Sequence, residues 1–258
     1  MKLAITGKGG VGKTTLASLL ARLYAAEGKA VLAIDANPDA NLAMALGLPQ
    51  EEARRISPIA EMKDLIEERT GAKPGSEAPY YKLNPRVDDI PERFSAKIDG
   101  IRLLIIGTVK TGGSGCMCPE SALLRNLMNH LLLRESDVVI MDMDAGVEHL
   151  GRGTAQAVDA LIIVVEPGKR SIQTAEAIRR LAGDLGLRCY IVGSKTTSDS
   201  DRQFIIDSMS DSEVLGFINY SQKIIESDLK GMSVFDAASE AVEEAKSIKE
   251  RLESKEGK

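Results

Sequence analysis

The segment GKGGVGKTT, residues 7–15, has the residue types and spacing of a phosphate-binding loop. Its glycines let backbone N–H groups turn inward around phosphate oxygens, and the amino end of a following helix adds positive potential. Lys13 would reach the β- and γ-phosphates, and the Thr14 hydroxyl would ligate Mg²⁺. An apolar run precedes the loop and a helical pattern follows it, which favours this interpretation over a chance glycine-rich turn. The remaining nucleotide contacts are predicted at Gly9, Gly10, Val11, Gly12 and Thr15.

The segment VVIMDMDAG, residues 138–146, supplies the acid that such a loop requires. Asp142 ends an apolar run typical of a buried strand, where phosphate-loop proteins place an aspartate beside Mg²⁺. Gly146 would let the chain turn close to the γ-phosphate. Asp144 either supports the metal site indirectly or faces water. The sequence therefore predicts a Mg-nucleotide site that includes Thr14 and Asp142.

A second polar segment, DANPDAN at residues 35–41, begins where the apolar run at residues 31–35 ends. Acids at such a place orient the attacking water and sense Mg²⁺. Asn37 and Asp39 are the candidates, although an amide at Asn37 carries no charge and cannot take a proton. Asp39 either compensates for that amide or is an acid at the start of a helix.

Lys8 is a second lysine within the phosphate loop, in addition to Lys13. Its ammonium is either solvated, or bound to the nucleotide of its own chain, or bound to a nucleotide held by a second subunit. The last arrangement would neutralise transition-state charge from the neighbouring molecule. The residue chemistry alone leaves these alternatives open.

The segment TGGSGCMCPES, residues 111–121, places two cysteines after a glycine-rich run. Pro119 is favoured in the first turn of a helix, so Cys118 would cap that helix. A helix amino terminus stabilises a thiolate, which is the form that binds soft metals. Cys116 and Cys118 are therefore candidate metal ligands, and two unconnected structural thiols are the alternative.

Two thiolates do not complete a tetrahedral metal site. His130 lies on the predicted helix that follows and His149 comes after the Asp142–Gly146 turn, but we expect both to be ordinary hydrogen-bonded or solvated side chains. Two Cys-x-Cys pairs that face each other across a two-fold axis would supply four thiolates. Cys189 begins an apolar run and is interpreted as a small buried hydrophobic residue.

The elements that must position these residues follow an α/β pattern. About seven short apolar runs, mostly continuous, predict strands buried on both faces, at residues 3–6, 31–35, 101–107, 138–142, 160–165, 189–193 and 214–218. Helical patterns lie between most of them, at residues 13–27, 58–70, 120–133, 171–185 and 203–209, with a further helical run from about 235. This alternation predicts a mostly parallel twisted sheet flanked by helices. We expect one domain over residues 1–258, with a helical and loop insertion around 49–100.

Composition excludes several classes of protein. With 43% hydrophobic and 28% charged residues, the 258-residue chain is typical of a globular protein. A net charge of −5 disfavours nucleic acid as a main partner. Three cysteines make no disulfide framework, and no apolar stretch approaches membrane-spanning length, so we expect a cytoplasmic protein without a membrane partner.

The loop with Lys8, the aspartate-rich turn at 35–41 and the Asp142–Gly146 spacing resemble the deviant Walker A superfamily of MinD, ParA and nitrogenase iron-protein ATPases. The resemblance implies an ATP-driven homodimer in which Lys8 crosses to the nucleotide of the other subunit. Members usually have an aspartate before the proline of the turn, so Asn37 predicts slow hydrolysis of ATP to ADP with binding retained. They often place Asn-Lys after a late strand against the adenine. Here the pair is Ser194-Lys195, so only Lys195 is carried over as a base contact.

The chain more narrowly resembles the CooC family of carbon monoxide dehydrogenase nickel-insertion ATPases and its acetyl-CoA synthase branch. The match rests on the phosphate loop together with PIAEMKD (58–64), GGSGCMCPES (112–121) and AGVEHLGRGT (145–154). It implies that ATP favours a homodimer whose four cysteines hold one Ni²⁺, or Zn²⁺ in its place. Hydrolysis would then release nickel to the client enzyme.

Two other functions remain as alternatives. An iron–sulfur reductase of the nitrogenase iron-protein type would also use a dimer-bridging cluster, but its cysteines lie far apart in sequence. A MinD- or ParA-like positioning ATPase would need a basic patch or an amphipathic anchor, against which the acidic composition counts.

Overall fold

A computed structural model describes residues 1–74, 80–107, 118–134, 138–146 and 157–256. Within these described residues, eight strands form one sheet in the order β3-β4-β2-β5-β1-β6-β7-β8, and only the β3–β4 pair is antiparallel. The predicted α/β class with a mostly parallel sheet is confirmed. The strands are β1 Lys2–Thr6, β2 Val31–Asp35, β3 Ala96–Ile98, β4 Ile101–Ile105, β5 Val138–Asp142, β6 Ala160–Val165, β7 Cys189–Thr196 and β8 Glu213–Asn219.

Helices cover both faces of the sheet. Within the described residues they are α1 Lys13–Ala26, α2 Leu42–Ala45, α3 Gln50–Ala53, α4 Lys63–Thr70, α5 Ile90–Phe94, α6 Pro119–Arg134, α7 Lys169–Asp184, α8 Asp199–Ser208, α9 Gln222–Lys230, α10 Val234–Ala237 and α11 Ser239–Glu256. None of these helices is both long and apolar enough to cross a lipid bilayer.

Alternating side chains of the strands build two cores. Leu3 and Ile5 of β1 pack on the side of α1 and α11, whereas Ala4 between them packs on the side of α6 and α7. Strands buried on both faces need apolar residues at successive positions, which explains the continuous apolar runs in the sequence.

Several elements differ from the sequence-based prediction. The predicted helix at 58–70 is a 3₁₀ turn, Ile59–Glu61, followed by α4, because Met62 between them leaves helical geometry with φ −79° and ψ 78°. Helix α8 begins at Asp199 rather than at 203, because the Ser198 hydroxyl caps it by accepting a hydrogen bond from the Asp201 N–H. The prediction omitted β3 and α9, and the last helical run is divided into α10 and α11.

The sheet order brings the candidate residues together. After β1 the chain builds β2, β4 and β5 on one side of that strand, and later β6, β7 and β8 on the other. Ligands of open α/β sheets bind at such a switch point, outside the carboxyl ends of the strands. The phosphate loop follows β1 there, and the segments after β2, β5 and β6 surround it.

Candidate nucleotide-binding site

The loop between β1 and α1 requires glycine at specific positions. Gly7, Gly10 and Gly12 have φ of 145°, 79° and 101°, which other residues rarely adopt. A Cβ on Gly7 would lie 2.4 Å from the Val164 carbonyl oxygen of β6. Helix α1 begins with no side-chain cap and no acid in its first turn. Its amino end therefore suits an anion such as a phosphate.

Lys13 and Thr14 lie where the loop enters α1. Lys13 is buried, and its ammonium donates to the Lys8 carbonyl oxygen at 3.3 Å, across the loop. The Thr14 hydroxyl donates to Asp142 Oδ2 at 2.6 Å. The structure thus brings together the lysine, hydroxyl and carboxylate that the sequence predicted.

Asp142 fits the requirements of a Mg²⁺ site. The residue is fully buried, and its Oδ1 has no hydrogen-bond partner among the residues that the structure describes. Burial raises the pKa of Asp142 to about 7, an effect that the hydrogen bond from Thr14 opposes and the charge of Asp35 reinforces. A bound divalent cation would occupy the unused oxygen and favour the carboxylate form. Thr14 and Asp142 would hold Mg²⁺, which supplies charge neutralisation on the phosphates.

Asn37 uses its amide in a way that the sequence did not reveal. Its backbone and side-chain N–H groups both donate to Asp35 Oδ1, at 3.0 and 3.2 Å, and Nδ2 also lies 3.2 Å from the Asp142 carbonyl oxygen. Asp35 is fully buried, accepts from the Leu42 N–H through its other oxygen, and has its pKa raised by burial. Asn37 therefore joins the ends of β2 and β5, and Asp35 anchors the turn that carries it.

Asp39 and Asp144 are both exposed. Helix α2, which follows Asp39, has no acid in its first turn, so the interpretation of Asp39 as a helix-starting acid is wrong. The Ala145 N–H donates to Asp144 Oδ1, and the Thr6 hydroxyl is within hydrogen-bond distance of the Asp144 and Gly146 carbonyls. Asp144 thus faces solvent, while Thr6 fixes the backbone of the turn after β5.

Glu166 is a site residue that sequence analysis missed. It follows β6 directly, and its Oε1 lies 2.9 Å from the Lys8 ammonium. Lys195 reaches the same carboxylate from β7, with 3.8 Å between its Nζ and Glu166 Oε2, and also donates to the Gly10 carbonyl. Lys195 has a positive φ of 56° at an irregularity in the β7–β8 pairing. The sequence signal for Glu166 was an acid at the end of an apolar strand, a position that Asp35 and Asp142 also occupy.

A cleft beside the loop has the composition of a base-binding site. Its lining includes Gly12, Thr15, Ser194 and Lys195, together with Tyr220 and residues of α9. Asn219 also lines it, but the Asn219 side chain is engaged by Thr196, Arg202 and Glu244. Among these residues Ser194 lies nearest Gly12, since a Cβ on Gly12 would come within 2.9 Å of Ser194 Oγ.

Cys118 lies directly before α6, as the sequence predicted. Its carbonyl accepts from the Ala122 N–H at 3.0 Å, and its sulfur lies 3.1 Å from the Ser121 hydroxyl. Cys116 and His149 fall outside the described residues. In the part of the chain that the structure describes, no three His, Cys, Asp or Glu side chains group as a metal site.

Cys189 is half-buried against the core rather than fully buried, and burial raises the pKa of its thiol to about 11.

Comparison with known proteins gives one consistent result. Residues 2–234 match the CobQ/CobB/MinD/ParA nucleotide-binding domain. The carbon monoxide dehydrogenase accessory protein CooC of Rhodospirillum rubrum is 50% identical over 92% of this chain and 90% of its own length. An uncharacterized ATP-binding protein of Methanocaldococcus jannaschii is 45% identical over 91% of each chain.

The fold is shared with solved structures at much lower identity. The MinD cell division protein of Aquifex aeolicus superposes with a TM-score of 0.69, covers 98% of both chains and is 21% identical. That likeness concerns the fold, whereas the two sequence relatives above are at least 45% identical over more than nine tenths of this chain.

Proposed function

Because this chain belongs to the CobQ/CobB/MinD/ParA nucleotide-binding family and, within it, to the CooC-type ATPases, we propose that it is a nickel metallochaperone. It binds and hydrolyses ATP as members of that family do. Its client is carbon monoxide dehydrogenase or acetyl-CoA synthase. ATP-driven dimerisation creates a nickel site, and hydrolysis releases the metal.

The observation that carries this proposal is the position of Cys118 at the amino end of α6 in a chain 50% identical to CooC. Backbone N–H groups at a helix amino terminus stabilise a thiolate. Cys116 lies close enough in sequence to bind the same ion. Two such pairs in a symmetric dimer supply four thiolates for one Ni²⁺, and Zn²⁺ accepts the same ligands.

The nucleotide half of the proposal rests on the described geometry. Lys13, Thr14 and Asp142 converge where the phosphates and Mg²⁺ of ATP would lie. Lys8 supplies its charge to the nucleotide of the second subunit. Gly9, Gly10, Val11, Gly12 and Thr15 surround the phosphates, and Lys195 borders the base cleft.

Hydrolysis is slow in this proposal. Asn37 occupies the place where superfamily members usually carry a water-directing aspartate, and its amide is committed to Asp35 and to the Asp142 carbonyl. An amide accepts no proton from water. Asp39 is the exposed acid of the same turn that supports the reaction instead.

Light scattering combined with metal analysis tests the proposal. The samples are wild type and the Cys116→Ser/Cys118→Ser variant, each with and without Mg-ATP and with added Ni²⁺. We expect one nickel per dimer in wild type with Mg-ATP and none in the double variant. Cys189→Ala is the matched control, since Cys189 lies at the start of β7, and it retains the nickel.

Other outcomes identify other functions. Dimerisation by nucleotide without cysteine-dependent nickel would contradict the metallochaperone. Visible absorption with iron and sulfide after anaerobic purification would instead indicate the reductase. Salt-dependent DNA binding would indicate a positioning ATPase.

A further inference from the structure

Glu166 lies between two lysines that border the phosphate loop. Its Oε1 contacts Lys8 at 2.9 Å, and its Oε2 faces Lys195 at 3.8 Å. The Lys8, Glu166 and Lys195 side chains are 37%, 24% and 47% exposed, so solvent screens these ion pairs only partly. One carboxylate thus lies between two lysine ammonium groups at the mouth of the nucleotide site.

The sheet order fixes this arrangement. β6 lies between β1 and β7, so the end of β6 must lie between the segments that follow those strands. The Glu166 N–H donates to the buried Ser171 hydroxyl of α7 at 3.1 Å, which anchors the backbone. The placement of Glu166 is therefore a property of the fold rather than of a loose surface contact.

None of the roles proposed for ATP binding or hydrolysis uses Glu166. A carboxylate beside a phosphate site repels the negative charge of a nucleotide unless it is neutralised. It also competes with any phosphate for the Lys8 ammonium. Because Lys195 still faces the carboxylate at 3.8 Å and neutralises it, the competition for Lys8 is the effect that remains, and it acts on the step in which Lys8 changes partner.

We propose that Glu166 is a positioning residue that holds Lys8 within its own chain and so sets the threshold for dimerisation. Lys8 reaches a phosphate held by a second copy of the chain only when the pair with Glu166 opens. Lys195 continues to neutralise the carboxylate that Lys8 leaves. This inference rests on the proposed ATP-driven dimer and adds a regulator to it.

The size of the effect follows from the exposure of the pair. Partly exposed ion pairs change equilibria by about two- to fivefold. Neutralising Glu166 removes the competitor, so the dimer dissociation constant with a non-hydrolysable ATP analogue falls by about that factor. Salt weakens the internal pair, so the difference between wild type and variant shrinks as ionic strength rises.

Sedimentation velocity with Mg²⁺ and AMPPNP measures the dimer dissociation constants. The samples are wild type, Glu166→Gln, Lys8→Ala and the double variant. We expect Glu166→Gln to dimerise more tightly than wild type, and to have no effect in the Lys8→Ala background. Glu166→Asp keeps the charge, so its dimer dissociation constant should be near that of wild type. Glu176→Gln on α7 makes the same change in net charge and leaves the constant unchanged.

The outcomes separate this inference from the proposed function. If wild type forms no nucleotide-dependent dimer, both are wrong. If wild type dimerises but Glu166→Gln forms the dimer with equal or lower affinity than wild type, only the role of Glu166 is wrong. An equal effect of Glu166→Gln with and without Lys8 also contradicts that role. Glu166→Ala, a second neutral variant, repeats the test if the glutamine variant folds poorly.

Discussion

The Thr14 hydroxyl donates to Asp142 Oδ2 at 2.6 Å, which joins the start of α1 to the end of β5. The other oxygen of Asp142, Oδ1, is buried and has no hydrogen-bond partner in the described part of the chain. Buried acceptors are nearly always satisfied in proteins, so an unsatisfied one beside a phosphate loop indicates a ligand position. The contact thus holds one oxygen of the carboxylate in place and leaves the other for a cation.

Asp142→Asn should separate metal binding from nucleotide binding. The amide preserves the shape and size of the side chain but supplies no negative charge to Mg²⁺. We expect the affinity for Mg-ATP to fall by about tenfold or more, whereas the affinity for ATP in excess EDTA changes little. Isothermal titration calorimetry in the two buffers measures both. Equal losses in both buffers would contradict a metal role for Asp142.

The pH dependence of stability provides a second test of the same group. Burial raises the pKa of Asp142 to about 7, from an ordinary value of 3.8, so the folded chain binds more protons than the unfolded chain between these values. Stability without Mg²⁺ therefore falls as pH rises from about 4 to about 7 and levels off above that. The pKa of Asp35 is also raised by burial and contributes in the same direction.

Urea unfolding at several pH values in EDTA measures this slope. Asp142→Asn removes the contribution of Asp142, on the order of a few kcal/mol at most, and leaves that of Asp35. The variant should therefore have a smaller decline than wild type between pH 4 and pH 7. An unchanged decline would show that Asp142 titrates at its ordinary pKa.

Gly7→Ala should be strongly destabilising. The added Cβ would lie 2.4 Å from the Val164 carbonyl oxygen, and φ at this position is 145°. Because the obstacle is backbone of a central strand, relief requires a shift of the loop or of β6. We expect a loss of about 2–4 kcal/mol in the free energy of unfolding, or an insoluble variant.

Gly9→Ala is the matched control for stability, since a Cβ on Gly9 would meet no atom of the described residues within 4 Å. Its free energy of unfolding should stay within about 1 kcal/mol of wild type. Denaturant unfolding of the two variants compares them directly, and equal losses would contradict the steric argument.

The sequence predicted local features of the site better than the features that depend on the whole sheet. Lys13, Thr14 and Asp142 could be predicted because each is marked by its own neighbours in the chain. Glu166 also ends an apolar run, but its contacts with Lys8 and Lys195 could not be predicted, since they depend on β6 lying between β1 and β7, an order that the apolar runs do not encode. The hydrogen bond from Asn37 to the Asp142 carbonyl likewise depends on how the end of β2 meets that of β5.

The sequence-based prediction missed β3 and α9 because neither is marked by a clear apolar pattern of its own. Strand β3 has only the residues AKI, too few for an alternating pattern, and it exists because β4 offers it an edge. Helix α9 leaves Ile225 and Leu229 exposed at 40% and 79%. Most of its side chains contribute little to the core, so its position was not evident from an apolar run.

Asn37→Asp should accelerate hydrolysis and reduce stability. A carboxylate at this place can direct and deprotonate the attacking water, which typically contributes a hundredfold or more, so we expect turnover to rise at least about tenfold. The same change replaces a donor that lies 3.2 Å from Asp35 Oδ1 with an acceptor, which places two carboxylates together. The free energy of unfolding at pH 8 should therefore fall by about 1–3 kcal/mol.

Asn37→Ala distinguishes the two effects, because it also loses the hydrogen bonds to Asp35 and to the Asp142 carbonyl but adds no carboxylate. It should lose stability without a gain in turnover. Phosphate release under saturating Mg-ATP, together with urea unfolding, measures both quantities for the three proteins. Unchanged turnover in Asn37→Asp would mean that the amide at this position is not what slows hydrolysis.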